Sequence, residues 1–341
     1  MLKAFAPLVL VMLAGFSFFF LDGWPLASSP EEVVEETAEV KAGTPRVIIP
    51  DNEPIDPAET APTGRVLLRS DVSDSSKATG PKETIASVSS VAVTMTDEQA
   101  RIMAKLQELR SGGGNAYRTA LSGAVLNQAL TRSFREGLLL ELRKVNRASV
   151  FGPGTVAGIT TEKVIGGDSL VRIARRVKKT HKNNATAALI QKLNGMTSSM
   201  IRPGQVLRVP KGKMSIEIHV GEFRLFVLLG GQIIFDYPVG TGKNNSTPLA
   251  SYTIRGKTKR PAWTMPNGQV VKYGDPRHII GSRWLGFDQV GGGRSGYGIH
   301  GTVDEASIGR QSSEGCIRMR RTDIEALFEL IPEGCFVVVK P

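Results

Sequence analysis

Cysteine is nearly absent from this 341-residue chain, which has only Cys316 and Cys335. A small secreted scaffold held by disulfides needs more. No structural bridge is therefore expected, and at least one thiol is free for chemistry. Histidine is almost as scarce, at four residues. With neither an HExxH helix nor paired CxxC spacing, a zinc hydrolase is disfavoured and no metal or other cofactor is expected. Aromatic residues make up 6% and do not interleave with basic residues as in a nucleic-acid recognition module. Long apolar runs are missing after the first 21 residues, so a polytopic membrane protein is excluded too.

What is present is uneven. The run from Ala4 to Leu21 carries no charge and is long enough to cross a hydrocarbon core of about 30 Å as a helix. Lys3 on its short N-terminal side favours keeping that end cytoplasmic. Leu26-Ala27-Ser28 is a poor cleavage site, which favours an uncleaved anchor over a signal peptide within residues 1–27. Residues 28–94 mix Pro, Ser, Thr and carboxylates without a sustained apolar period, the composition of an extended, disordered acidic linker. The net charge of +11 lies entirely beyond them. Residues 1–150 carry 16 Lys and Arg against 18 Asp and Glu, whereas residues 151–341 carry 27 against 14. The C-terminal half is thus suited to an anionic partner, and behind an export-type segment a wall polymer or membrane surface fits better than nucleic acid.

Helical periodicity begins at Thr96-Asp97-Glu98-Gln99, which has capping-box spacing. Ile102, Met103, Leu106 and Leu109 form one stripe, Tyr117, Leu121, Ala124 and Val125 a second, and Phe134, Leu138, Leu142 and Val145 a third. Residues 95–150 therefore read as a short helical region whose simplest role is to pack against the neighbouring domain.

Residues 161–211 contain TEKVIGGDSLVRIARR, LIQKLNGM and IRPGQVLRVP. Asp168 or Ser169 can cap a helix bearing Leu170, Ile173, Ala174 and Val177, and Pro203-Gly204 turns the chain into a last strand. This order resembles a LysM module, a small βααβ unit. The resemblance implies binding of N-acetylglucosamine-containing glycans and implicates Gly167, Asp168, Ser169 and Gly195. The middle segment, KKTHKNNATAAL, is longer and more polar than usual for the module.

From Ser215 onward short alternating strands take over (IEIHV, FRLFVLL, QIIFDYPV, YTIRG, CFVVV), with Gly230-Gly231 as a hairpin signal. Thr322 is a candidate cap for one helix carrying Ile324, Leu327, Phe328 and Ile331. Cys335 lies in the apolar last strand and is expected to be a small core residue. Cys316 is different: it follows Gly315, which allows a sharp turn, and His300 lies sixteen positions earlier. A thiol needs a base or a cation to react at neutral pH, and imidazole suits that task. Two adjacent strands would bring the two positions together.

His300-Gly301-Thr302, followed by Ser313-Glu314-Gly315-Cys316-Ile317-Arg318-Met319, resembles the signature of the YkuD-type L,D-transpeptidases. YPVGTGKNNSTP, PAW and GSRWLGF extend the likeness over residues 215–341. It implies a β-rich domain, a β-sandwich with a short helix, and a cysteine-dependent acyl transfer between peptidoglycan stem peptides. Cys316 is then the nucleophile and His300 the proton acceptor and donor. Gly301 and Ser313 are candidates to orient the imidazole, and the Gly315 and Cys316 amides to hold the oxyanion. Arg318 is a candidate for a substrate carboxylate, and Tyr297 and Trp284 for the cleft wall. Glu314 departs from the usual neutral or basic residue, and a carboxylate there is expected to raise the thiol pKa.

The chain is accordingly expected to be multidomain and to work in the bacterial cell envelope, anchored in the inner membrane with its catalytic domain outside, or else secreted. Its partners are peptidoglycan and, through the N-terminal segment, the membrane. Two alternatives remain open: a carboxypeptidase or endopeptidase in which water resolves the thioester, and a non-catalytic wall tether in which the LysM module alone acts.

Overall fold

The computed structural model describes residues 95–341 apart from 113, 155, 291, 292, 294 and 295. The expected membrane segment (1–27) and linker (28–94) lie outside the described residues. Among those described, no helix is long and apolar enough to cross a membrane.

Three helices come first, α1 (Asp97–Gly112), α2 (Asn115–Leu126) and α3 (Arg132–Ser149). The capping box opens α1 as its spacing predicts: Gln99 N donates to Thr96 Oγ1 at 3.2 Å, and Thr96 N to Gln99 Oε1 at 3.0 Å. The three stripes meet in a core that includes Leu106, Leu121, Val125, Leu138 and Leu142. Met103 is the exception at 43% exposed, because α1 packs mainly on α2 and buries a narrower face than the stripe suggests.

The next module pairs β1 (Ile159–Lys163) with β2 (Val206–Pro210), antiparallel, around α4 (Leu170–His181) and α5 (Ala187–Leu193). Of the two candidate caps it is Ser169 that starts α4, its Oγ accepting from Arg172 N at 3.3 Å. Asp168 turns elsewhere, accepting from Ile165 N and from Arg176 at 3.0 Å.

The C-terminal part is built from β3 (Met214–His219), β4 (Arg224–Leu229), β5 (Gln232–Pro238), β6 (Thr241–Gly242), β7 (Ser251–Lys259), β8 (Trp263–Thr264), β9 (Val270–Val271), β10 (Arg283–Gln289), β11 (Gly298–Gly301), β12 (Gln311–Ser313), β13 (Ile317–Met319), α6 (Arg321–Leu330) and β14 (Phe336–Lys340). Eight of these strands form one mixed sheet in the order β13-β11-β10-β7-β14-β3-β4-β5. The β4–β5 hairpin turns at Gly230 and Gly231, with φ of 58° and 78°, values that favour glycine. Just past β5, Gly240 exchanges two backbone hydrogen bonds of 2.9 Å with Arg318 in β13. The outermost strands are thereby tied together. The two layers of the expected sandwich are opposite sides of one sheet curled almost closed. Helix α6 packs on β10 and β11. It starts one residue before Thr322, after Arg320, whose extended ψ of 153° and carbonyl bond from Ile324 N mark the start without a side-chain cap.

Both preceding modules are fastened to this sheet. Ser122, Arg118 and Asn146 satisfy the open edge of β5: Ile233 N donates to Ser122 Oγ at 2.8 Å, and Asn146 Nδ2 and Arg118 Nη2 donate to Ile233 O at 2.9 and 3.3 Å. Phe226, Leu228 and Ile233 complete the helical core, so the helices cover an edge that would otherwise be free to pair with another strand. The polar segment between α4 and α5 is a docking element. Asn184 exchanges hydrogen bonds with Met214 (2.6 and 2.9 Å), and Thr186 Oγ1 donates to Leu330 O at 3.0 Å. Leu189 and Leu193 lie in the same buried cluster as Met214, Leu330 and the sheet interior. Arg208 on β2 donates to the Ser149 and Val150 carbonyls at the end of α3.

A module that shares a core with its neighbour unfolds with it. Leu189→Ala is expected to cost about 2–5 kcal/mol, as fully buried leucines do, and to lower the melting temperature of one calorimetric transition. Two transitions, with only the smaller one moved, would show that the modules are independent.

Candidate active site

Three short strands carry the site. β11 pairs antiparallel with β10, setting His300 opposite Trp284, and parallel with β13, setting His300 beside Arg318 and Ile299 beside Ile317. Ile299, Ile317 and Met319 are fully buried in the sheet core. Alternation sends His300, Arg318 and Cys316, just before β13, to the other face.

The turn before Cys316 is held from two sides. The Ser313 hydroxyl accepts from Gly315 N at 3.1 Å and donates to Cys316 O at 2.6 Å. Gly315 has φ of +123°, and a Cβ there would sit 2.6 Å from Tyr297 Cε1 and 3.0 Å from Ser246 O. Only glycine fits such a position. Gly242, on the 241–248 loop, lies so close that its own Cβ would come within 2.9 Å of Gly315 Cα.

His300 is 3% exposed. Its Nδ1 donates to Gly301 O at 2.6 Å; a carbonyl only accepts, so the proton sits on Nδ1 and Nε2 keeps its lone pair. The Trp284 ring stacks on the imidazole, centroids 5.8 Å apart and planes 24° apart. Gly286 and Gly298 make room for the indole, since a Cβ on either would come within 2.9 Å of it. Burial pushes the imidazole pKa down to about 4, against the pull of the Gly301 and Ile280 carbonyls, with Arg318 and His278 lowering it further. Cys316 is half-buried, its Sγ 3.9 Å from Gly296 O. Burial pushes its thiol up to about 11, opposed by a hydrogen bond at Gly298 and by Arg318. At rest both groups are neutral, and among the described residues no hydrogen bond joins thiol to imidazole.

Several sequence candidates fall in other places than expected. Ser313 braces the turn before Cys316 and makes no hydrogen bond to the imidazole, so Gly301 alone of the two orients His300. The Gly315 amide is already engaged by Ser313. Trp284 is 5% exposed and lies against His300, too buried to form the cleft wall. Tyr297 packs on Gly315 and is half-buried. Arg318 Nη1 donates to Ser312 Oγ at 3.4 Å, while its Nε is buried with no partner. Glu314 is exposed and paired at 2.6 Å with Lys243. It does not contribute to the Cys316 shift, which corrects the expectation of like-charge repulsion: the neighbouring loop supplies a cation that compensates it.

Gly242 and Lys243 lie in the YPVGTGKNNSTP segment, which marked the family likeness but not their contacts, and His278 had no motif around it. His278 is 4% exposed and donates from Nε2 to Pro261 O at 2.7 Å. Its approach to His300 depends on the 260–281 segment folding back over the sheet. A cavity of about 310 Å³ opens there, beside Gly301 and Thr302, lined also by Tyr273, His278 and Arg321. Among the described residues no group of three His, Cys, Asp or Glu could hold a metal. Cys335 is free and fully buried, and burial raises its thiol to about 12.

In the smaller module the Asp168 carboxylate and the Ser169 hydroxyl are used internally, the first by Ile165 and Arg176 and the second by the start of α4. Gly167 (φ 79°) and Gly195 (φ 60°) are exposed, and the Gly167 carbonyl accepts from Arg172 at 2.6 Å. These two glycines are the members of that candidate set left open to a ligand.

Residues 213–339 match the family model described as an L,D-transpeptidase catalytic domain, and residues 163–210 match the LysM domain. A Bacillus subtilis protein named as an L,D-transpeptidase, YqjB, is 37% identical over 116 residues, covering 34% of this chain and 64% of its own length. YkuD of the same organism, so named too, is 29% identical over 186 residues, 52% of this chain and 98% of its own. YcfS of Escherichia coli, likewise named, is 29% identical over 188 residues, 49% and 57%. The NMR structure of the catalytic domain of an E. faecium L,D-transpeptidase has 19% identity and a TM-score of 0.31, over 38% of this chain and 98% of that one. The chain thus spans from 57% to nearly all of these relatives, and its last two modules are a LysM domain followed by an L,D-transpeptidase catalytic domain of the YkuD family.

Proposed function

We propose that the chain is a peptidoglycan L,D-transpeptidase of the cell envelope that works through a thioester on Cys316. One observation carries the reading: adjacent strands place a thiol and an imidazole on one face, with Nδ1 tied to Gly301 O and the Nε2 lone pair left to take a proton. Cys316 Sγ attacks the carbonyl carbon between the third residue of a donor stem peptide and its terminal D-alanine, and its proton passes to His300 Nε2. The tetrahedral oxyanion is held by the Cys316 amide, the Gly315 amide being occupied by Ser313. Collapse breaks the C–N bond, D-alanine leaves with the proton from His300, and a thioester remains. The amine of a second stem peptide then attacks, giving its proton to His300, and Cys316 leaves as a thiol.

Neutral partners suit this sequence. A thiol near 11 and an imidazole near 4 form no ion pair at rest, so proton transfer accompanies attack on a bound carbonyl, and Cys316 stays protected from oxidation in an exported protein. The buried, partnerless Nε of Arg318 supports a role for this residue in receiving a donor carboxylate. Gly167 and Gly195 contribute to the LysM glycan surface. The apolar run from Ala4 to Leu21 anchors the chain in the inner membrane.

Incubation with disaccharide-tetrapeptide should give a mass increase on Cys316 and a cross-linked dimer lacking one D-alanine. Cys316→Ala should abolish both, His300→Gln should slow acylation by about 10²–10⁴, and Cys335→Ala should change stability only. An adduct mapped to Cys335, or full activity in Cys316→Ala, overturns the mechanism.

The resting thiol makes a separate prediction. Alkylation of Cys316 without substrate should climb tenfold per pH unit, with no plateau before its pKa of about 11. Glu314→Gln should superimpose on the parent profile. A plateau near neutrality would reveal a thiolate–imidazolium pair.

A further inference from the structure

The charge of this chain is concentrated in its LysM domain. Between Thr161 and Lys213, twelve Lys and Arg stand against two carboxylates, a net +10 in a chain whose total is +11. One arginine takes both of those acids: Arg176 binds Glu162 at 2.7 Å and Asp168 at 3.0 Å. No other basic residue of the module has an acidic partner among the described residues.

The unpaired charge is ordered on α4. Leu170, Ile173, Ala174 and Val177 are buried on one side, and Arg172, Arg175 and Lys179, at i, i+3 and i+7, line the other with Lys178 beside them and Lys182 at the left-handed C-cap just beyond, all exposed. The stripe runs the length of a twelve-residue helix, about 18 Å. Like charges three and four residues apart destabilise a helix. Lys178 and Lys179 are compensated by the helix dipole in the last turn, whereas Arg172 and Arg175 lie nearer the end where a cation is disfavoured. Folding alone therefore gives no reason for the stripe.

We propose that this face of α4 from Arg175 to Lys182, beyond the end where Arg172 binds the Gly167 carbonyl of the glycan surface, is a second binding surface of the LysM domain and that it holds a linear wall polymer with phosphodiester charges along its backbone. A row of cations at helical spacing matches a regular polyanion. The helix fits a lipid surface poorly, because its apolar side is consumed in the module's core and Val171 is the one apolar side chain on its exposed face. The surface would add to wall retention without entering the chemical step.

Binding of the full chain to polyglycerol phosphate tests the proposal. The parent should bind, with affinity falling steeply between about 0.05 and 0.5 M salt as contacts to the polyanion are screened. The combined substitution R175Q, K178Q, K179Q and K182Q should weaken binding at least tenfold and flatten the salt dependence, with melting temperature and Cys316 acylation unchanged. Arg176 stays intact because it holds Glu162 and Asp168. Salt-independent binding by the parent overturns the proposal whether or not the variant folds, and so does equal binding by parent and variant. Binding to phosphatidylglycerol vesicles that falls with the same substitutions, with no binding to the polymer, would assign the stripe to a membrane and overturn the polymer as partner.

Discussion

Two backbone hydrogen bonds between Gly240 and Arg318 hold the site together. They join the chain leaving one end of the eight-stranded sheet to the strand at the other end, and the rest of the arrangement depends on that closure. β13 is fixed against β11 on one side and against the Gly240 segment on the other, so the residue before it, Cys316, has little freedom. The 241–248 loop continues directly from the closure and lies on Gly315. Gly240 itself has to be small: a Cβ there would stand 2.5 Å from Ser307 O and 3.4 Å from Arg318 Cβ. The Arg318 main chain closes the sheet, and its side chain lies on the thiol's side. One residue thus serves the fold and the electrostatics of the cleft.

Burial does the remaining tuning. Removing water from an imidazole and a thiol disfavours the charged form of each, and here the two effects move the pKa values apart, to about 4 and about 11. Arg318 works on both, favouring neutral imidazole and, against the burial effect, the thiolate. Trp284 contributes as a plane that fixes the ring, and it reaches that place because Gly286 and Gly298 have no side chain. Glu314 would disturb this balance if it pointed inward, but Lys243 holds it in solvent.

Local chemistry was well legible in the sequence. The Thr96–Gln99 box, the Gly230-Gly231 hairpin, a cap at Asp168 or Ser169 and the buried face of α4 depend on residues close in the chain, and the helix and turn rules apply to them directly. His300 and Cys316 were legible because an imidazole and a thiol in a glycine-rich setting have few other uses. Strands β10, β11 and β13 were harder, being short and broken by glycine, with no alternating run to mark them. The role of Ser313 depends on a turn geometry that no spacing encodes, and the burial of Trp284 depends on Gly286 in its own strand and Gly298 in the neighbouring one. Asn183, Asn184 and Thr186 looked like an overlong polar loop because their partners, Pro210, Met214 and Leu330, present backbone atoms, and any sequence offers those.

That loop changes how the LysM domain has to be understood. A tethered module would sample many orientations and raise only the local concentration of enzyme on its polymer. Here Leu189 and Leu193 are part of the catalytic core, and Thr186 binds the carbonyl of Leu330 at the C-terminal end of α6. The N-terminal half of the same helix supports the catalytic strand: Ile324 Cγ2 would stand 3.2 Å from a Cβ on Gly301, whose carbonyl orients His300. A ten-residue helix, about 15 Å long, therefore connects the dock to the imidazole through rigid contacts. The separation between the glycan surface and Cys316 is set by the fold. On the proposed function, a stem peptide reacting while its own glycan is held by the LysM domain would have to span that distance, at no more than about 3.3–3.6 Å per residue. Selection among stem peptides would then rest partly on reach, in addition to the contacts of the cleft.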